Sequence, residues 1–162
     1  MNNRENILER LNQLNIPYEL KEHTAAFTMD ELEALGLNSE NTICKNLFLR
    51  DYKGKRHMLV VLRGDKQADL VLIRGEINST RLSFASAERL EKHLKVSQGS
   101  VSPLGLINDE STNVEVYFDK DLKGAEKLGF HPNDNTATVY LSFESLEKYI
   151  YSTNHKIHFI IV

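Results

Sequence analysis

Apolar residues at Ile7, Leu8, Leu11 and Leu14 recur at helical spacing, so residues 3–14 read as an amphipathic helix. The stretch Ile16-Pro17-Tyr18-Glu19-Leu20 breaks it and leads into a short strand. Thr28 and Glu31 form a capping-box pattern that predicts a second helix, which Gly36 closes. The period then changes. Residues 42–50, TICKNLFLR, are apolar and extended; Asp51-Tyr-Lys-Gly-Lys55 is a turn signal, and HMLVVLRGD follows, which predicts a β-hairpin. Leu70–Ile73 reads as a short strand or a helix start. Ala85–Leu94 reads as a helix with Ser86 as its cap and Leu90 and Leu94 on one face. The segment GSVSPLGLIND, residues 99–109, is a shaped turn: glycine widens the backbone's choices and proline narrows them. Strands are expected at Asn113–Asp119, Val139–Ser142 and Ile157–Val162, with a helix at Glu144–Tyr151. Helices and strands mix without regular βαβ spacing, which favours a mixed α/β (α+β) fold with a mixed sheet and flanking helices.

Composition adds bounds. The 162 residues carry no Gly/Ser/Pro linker and no internal repeat, so one domain over 1–162 is expected. A formal charge of −3 gives no global basic field, so DNA is not an expected partner and any RNA must meet a local basic face. Arg50, Lys53, Lys55 and Arg56 cluster at the hairpin turn, with Arg63, Lys66 and Arg74 beyond; the cluster suits either phosphate contact or a solvated turn. Cys44 is the single cysteine, which points to a reducing compartment. No apolar leader and no run of roughly 20 apolar residues is present, so a cytoplasmic protein away from membranes is expected.

Few positions are marked for chemistry. Lys45 lies inside an apolar strand and, in a regular strand, shares a face with Ile43, Leu47 and Leu49. An ammonium there needs an anion, or else an edge position where its stem lies on apolar surface and its head in water. Asn46 points to the other face. Cys44 reads as core filler rather than a nucleophile. His131 opens the rigid polar loop HPNDNT, which suits a site residue or an ordinary surface turn. His23, His57, His93, His155 and His158 show no metal-ligand spacing, and no metal or cofactor is expected. Ser100 and Ser102 are possible acyl acceptors, but nothing marks a base for them, and no nucleophile elbow, phosphate loop or dinucleotide fingerprint occurs.

Taken in order, TICKNLFL, VLRGD, GSVSPLGLIND and HPNDNTATVYLS resemble the superfamily of editing domains found in bacterial prolyl-tRNA synthetases and in YbaK-type proteins. The strand lysine and the Gly99-x-x-x-Pro103 pattern carry the likeness, which covers roughly residues 5–150. Lys45 followed directly by Asn46, with the late loop HPNDNTATV, is similar to the free-standing members that act in trans on alanyl-tRNA(Pro). The resemblance implies a curved mixed sheet and a pocket between the lysine strand and the Gly-Pro loop. It implies hydrolysis of the ester joining a wrong amino acid, alanine first, to the 3′ adenosine of tRNA(Pro). Mischarged tRNA, through its acceptor end, is then the implied partner, with prolyl-tRNA synthetase a second. Lys45, Gly99, Pro103 and His131 become the implied catalytic set, and Asn46, Ser100, Val101 and Ser102 the implied substrate-binding residues. Phe27 and Met29, with Leu32 and Leu35, are the expected pocket wall. A deacylase for cysteine- or serine-charged tRNA, and a non-catalytic module that binds tRNA or a synthetase, are the alternatives.

Overall fold

The computed structural model describes residues 3–24 and 43–162. The helix expected from Thr28, and with it Phe27, Met29, Leu32 and Leu35, lies outside the described residues. Helix α1 (Asn3–Gln13) buries Ile7 and Leu11 on one face. Asn15 then turns left-handed (φ 55°), Ile16 donates its amide back to the Leu11 carbonyl, and Pro17 follows.

Among the described residues, eight strands form two sheets. Strands β1 (Glu19–Glu22), β7 (Ala137–Leu141) and β6 (Leu128–Phe130) pair in that order, all antiparallel. The larger sheet runs β4 (Ser83–Phe84), β2 (Lys45–Arg50), β3 (His57–Leu62), β5 (Val114–Asp119), β8 (Ile157–Ile160). Its β4–β2–β3 half is antiparallel and its β3–β5–β8 half parallel, so the sheet is mixed as expected. The predicted hairpin is β2–β3. Asp51 closes it by accepting the Lys55 and Arg56 amides at 2.8 and 3.1 Å, and Gly54 takes φ 69°.

Strand β3 is buried at every position, because both faces of its sheet are covered. Leu59 and Val61 join the main core with Phe48, Val116, Phe118 and the buried side chains of α1. Met58, Val60 and Leu62 join a second cluster with Leu47, Leu49, Ile73 and Ile77. Two of the latter belong to helix α2 (Leu70–Glu76) or its end. The ambiguous Leu70–Ile73 stretch is therefore helical, and Asp69 decides it by accepting the Val71 and Leu72 amides. Helix α3 (Ala87–Leu94) is capped by Ser86 as predicted, and α4 (Phe143–Ser152) by Ser142. Strands β4 and β6 were not predicted: each is two or three residues long and exists through its neighbours. The 99–109 segment is not an open loop. It holds two short 3₁₀ turns, Gln98–Ser100 and Pro103–Asn108.

Beneath the hairpin turn, the His57 and His93 rings lie 4.2 Å apart, both buried, with Phe48 stacked on His57. Arg89 donates to His57 Nε2 at 2.8 Å, so that ring is held neutral. Burial, then His93 and Arg89, push the His57 pKa down from 6.5 to about 4, while Asp51 opposes and Lys92 adds. Burial also lowers that of His93, against the pull of Asp109. The unfolded chain takes up protons near pH 6.5 and the folded one does not, so stability falls as pH drops from 6.5 towards 4. A loss of about 2–3 kcal/mol is expected over that range. Urea unfolding at pH 7 and pH 4.5 measures it; a midpoint that does not move contradicts the burial of these rings.

Candidate active site

The two sheets meet at a bridge, where Ile43 pairs in parallel with Gly129. A Cβ on Gly129 would lie 2.6 Å from Ile43 Cδ1 and 2.9 Å from Tyr140 Cε1, so the close approach requires glycine. Both chains leave a parallel bridge in the same direction. Two residues along one lies Lys45, and two residues along the other lies His131.

Lys45 is half-buried and stands opposite Leu62, at the end of the face that carries Leu47 and Leu49. Ile43, expected to share that face, instead packs at Gly129, because the regular strand begins only at Lys45. The Lys45 ammonium donates to the Lys66 carbonyl. Lys66 itself holds Asp119 at 2.9 Å and Asp121 at 2.7 Å. Lys45 has no carboxylate within ion-pair distance among the described residues. Asn46 lies on the opposite face, with Phe48 and the main core, and its Oδ1 is buried with no hydrogen-bond partner among the described residues. A buried amide oxygen in that state is an acceptor waiting for a donor. The Cys44 thiol is buried, and burial pushes its pKa up to about 12 with Asp119 adding, which agrees with filler rather than a nucleophile.

Gly99 sits in the first 3₁₀ turn, and Pro103 opens the second at its first position. Among the described glycines the left-handed region is taken by Gly54 and Gly124, not by Gly99. Between the turns Val101 and Ser102 are extended, with φ −60° and −160°. Ser102 is fully buried, and its Oγ accepts the Leu104 amide at 3.1 Å. Ser100 is also buried. Neither serine is presented as an acyl acceptor; Ser102 shapes the turn. From α4, the Tyr149 hydroxyl donates to the Leu104 carbonyl at 2.6 Å and anchors the segment to the core.

His131 is half-buried. Its Nδ1 donates to the Ala137 carbonyl at 2.8 Å, which leaves Nε2 as an acceptor. Burial, the largest influence, lowers its pKa; the Ala137 bond opposes and His23 adds. The His23 ring lies 6.1 Å from it, donates to the Thr24 carbonyl and accepts from the Thr138 hydroxyl at 2.9 Å. His23 was set aside in the sequence because no metal spacing involves it; only the β1–β7 pairing brings it here.

The loop after His131 packs directly on the Gly-Pro segment. Asn133 Nδ2 donates to the Leu94 carbonyl at 3.3 Å, and Asn108 Nδ2, from the second 3₁₀ turn, donates to the same oxygen at 2.9 Å. A Cβ on Gly105 would lie 2.7 Å from Asn133 Oδ1. The structure thus joins the His131 loop to the Gly-Pro segment by contact, and to the Lys45 strand through the bridge. The Lys45 side chain itself is on the sheet face away from Leu104 and Leu106. Of the basic cluster, Arg56 is tied to Glu115 and Arg63 to Asp65, so part of its charge is neutralised internally. A polar cleft of about 440 Å³ lies between α1, the second 3₁₀ turn and the end of α4; none of the predicted site residues lines it. Among the described residues no group of three or more metal-ligating side chains converges, and no helix is long and apolar enough to cross a membrane.

Residues 23–149 match the sequence model of the aminoacyl-tRNA editing domain. The chain is 47% identical over 150 residues to the prolyl-tRNA editing protein ProX of Acetoanaerobium sticklandii, covering 93% of this chain and 92% of that one. It is 35% identical over 150 residues to the prolyl-tRNA synthetase associated domain-containing protein 1 of Mus musculus, covering 91% and 89%. The fold matches a crystal structure described as that of a proposed trans-editing enzyme for prolyl tRNA synthetase, with a TM-score of 0.74 at 19% identity over 100% of this chain and 98% of the other.

Proposed function

The chain belongs to the aminoacyl-tRNA editing domain family, and from that premise we propose that residues 1–162 act as one free-standing deacylase of mischarged tRNA(Pro), alanyl-tRNA(Pro) first. The observation that carries this reading is the 47% identity to a prolyl-tRNA editing protein across nearly the full length of both chains. The geometry of the site gives it a chemical form.

An aminoacyl ester is labile, so the protein has to position water and stabilise an oxyanion. The water oxygen bonds to the ester carbonyl carbon, the tetrahedral oxyanion collapses, and the bond to the 3′ oxygen breaks. The ribose oxygen leaves with a proton from the attacking water, and the products are a free amino acid and tRNA. At the start of β2, on the face away from the Gly-Pro segment, the Lys45 ammonium is held by a carbonyl and, among the described residues, by no carboxylate. There it meets a phosphate of the acceptor end as that end passes around the strand's edge, and orients it. Asn46 Oδ1, on the other face and without a partner among the described residues, accepts from a ribose hydroxyl. The Ser100, Leu104 and Gly105 amides are engaged within the segment, on the Ser97 carbonyl, Ser102 Oγ and the Ser102 carbonyl. The extended Val101–Ser102 amides donate to the oxyanion, each such donor being worth ~3 kcal/mol. His131 Nε2 accepts from the water. The free ribose hydroxyl of the substrate assists activation, in keeping with the absence of a marked protein base in the sequence.

The lowered pKa of His131 keeps Nε2 unprotonated as pH falls through 6.5. Enzymatic deacylation, corrected for spontaneous ester hydrolysis, is expected to hold its plateau below pH 6.5; an acid limb centred at pH 7 or above contradicts this role. Hydrolysis of alanine-, serine- and cysteine-charged tRNA(Pro) measured side by side tests the substrate. Alanine is expected to be released fastest, and preferential release of serine or cysteine would reassign the pocket.

A further inference from the structure

Asn133 takes φ 57°, a left-handed backbone that asparagine tolerates better than most residues. Its amide crosses from the His131 loop to the segment that follows Gly99 and Pro103. Nδ2 donates to the carbonyl of Leu94, the last residue of α3, and that oxygen also receives Asn108 Nδ2. Oδ1 is buried and has no donor among the described residues. It lies against Gly105, where a side chain would collide with it: an added Cβ would be 2.7 Å from Oδ1, 3.4 Å from Nδ2 and 3.5 Å from Cγ. A planar amide is therefore laid on a bare stretch of backbone, held by one hydrogen bond and by the absence of a Cβ beneath it.

We infer that Asn133 and Gly105 form a spacer that fixes the distance between the His131 loop and the Gly-Pro turn, and so sets how large an amino-acid side chain the editing site accepts. The inference rests on the deacylase reading above. A site that releases alanine must refuse the cognate proline, and the two differ by a ring of two more carbons. Steric refusal is only as sharp as the walls are fixed, and a yielding pocket discriminates by little more than the 10–200-fold of a methylene or two. Neither residue is required to touch the reacting atoms. Asn133 is a positioning residue, and Gly105 is the surface against which it is set.

Two substitutions disturb the spacer from opposite sides. Asn133→Gly keeps the left-handed backbone accessible and removes the amide. Gly105→Ala keeps the amide and pushes it away. Each variant is expected to hydrolyse alanyl-tRNA(Pro) within about tenfold of the wild type, while kcat/KM for prolyl-tRNA(Pro) rises. The alanine-to-proline ratio then falls by about tenfold or more. The thermal shifts are expected to be coupled: Gly105→Ala lowers Tm in the wild type but not in the Asn133→Gly background, where the obstructing oxygen is gone. An unchanged ratio in both single variants, or Tm shifts that simply add, overturns the spacer. A wild type that hydrolyses no mischarged tRNA(Pro) overturns the deacylase reading instead, and the Tm cycle still decides whether the spacer exists.

Discussion

Replacing Lys45 with alanine is expected to slow hydrolysis of alanyl-tRNA(Pro) by about 100-fold or more. The change in Tm should stay within about 4 °C. The two effects separate because of where the ammonium sits. It donates to the Lys66 carbonyl and, among the described residues, neutralises no carboxylate, while the nearby carboxylates Asp119 and Asp121 are already held by Lys66. Its removal therefore leaves no buried charge unpaired, and the cost to the fold is that of one half-exposed hydrogen bond, about 1 kcal/mol. What is lost is a cation on the strand that leaves the same bridge as His131. Single-turnover hydrolysis with enzyme in excess reads the chemical step, and circular dichroism checks the fold. Wild-type hydrolysis by a folded Lys45→Ala variant sinks the role given to this residue.

Asp109→Ala is expected to act on stability instead. Asp109 is 4% exposed and ends the second 3₁₀ turn. Its carboxylate accepts the Asn113 and Val114 amides at 3.2 and 2.8 Å and His155 Nε2 at 2.8 Å. On its other side the His155 ring meets the Thr153 hydroxyl at 2.8 Å, so one buried chain ties the Gly-Pro segment to the end of α4. Burial pushes the Asp109 carboxyl up, but the His155 bond and the two amides outweigh it and hold the pKa below 3.8. Its contribution is thus complete above that pH and is lost only as the pH falls through the lower folded value. Alanine leaves these donors buried without an acceptor, at a cost of about 3–5 kcal/mol and a fall in Tm of about 10 °C. A fall of less than about 3 °C shows that the chain does not anchor the segment.

How much of this could be read from the residues follows from how far apart the deciding contacts lie. The β2–β3 hairpin was legible because its turn residues and both apolar runs are contiguous, and because β3 is covered on both faces and so carries no polar interruption. Ser86 was legible as a cap for the same reason. Leu70–Ile73 was ambiguous because its apolar run suits either element, and one side chain, that of Asp69, tips it to helix. Strand β6 is three residues with a glycine in the middle; only β7 and the distant Ile43 make it a strand. At the site, the motif residues stood out by type and order, but their directions did not. The irregular start of β2 separates Ile43 from Lys45, and His23, Gly105 and Asn133 take their places through contacts between remote segments. The serines of the Gly-Pro segment are buried and the Ser102 hydroxyl accepts the Leu104 amide, an environment their residue type alone did not reveal.

Release of free alanine from alanyl-tRNA(Pro) by the purified protein is the measurement on which the deacylase assignment turns. Uncharged tRNA(Pro) serves as a binding control, and prolyl-tRNA(Pro) as the substrate that must survive. Rapid ester hydrolysis of the alanine-charged tRNA is expected, and none above background for the proline-charged one. Tight binding of tRNA with the alanyl ester left intact would contradict that assignment.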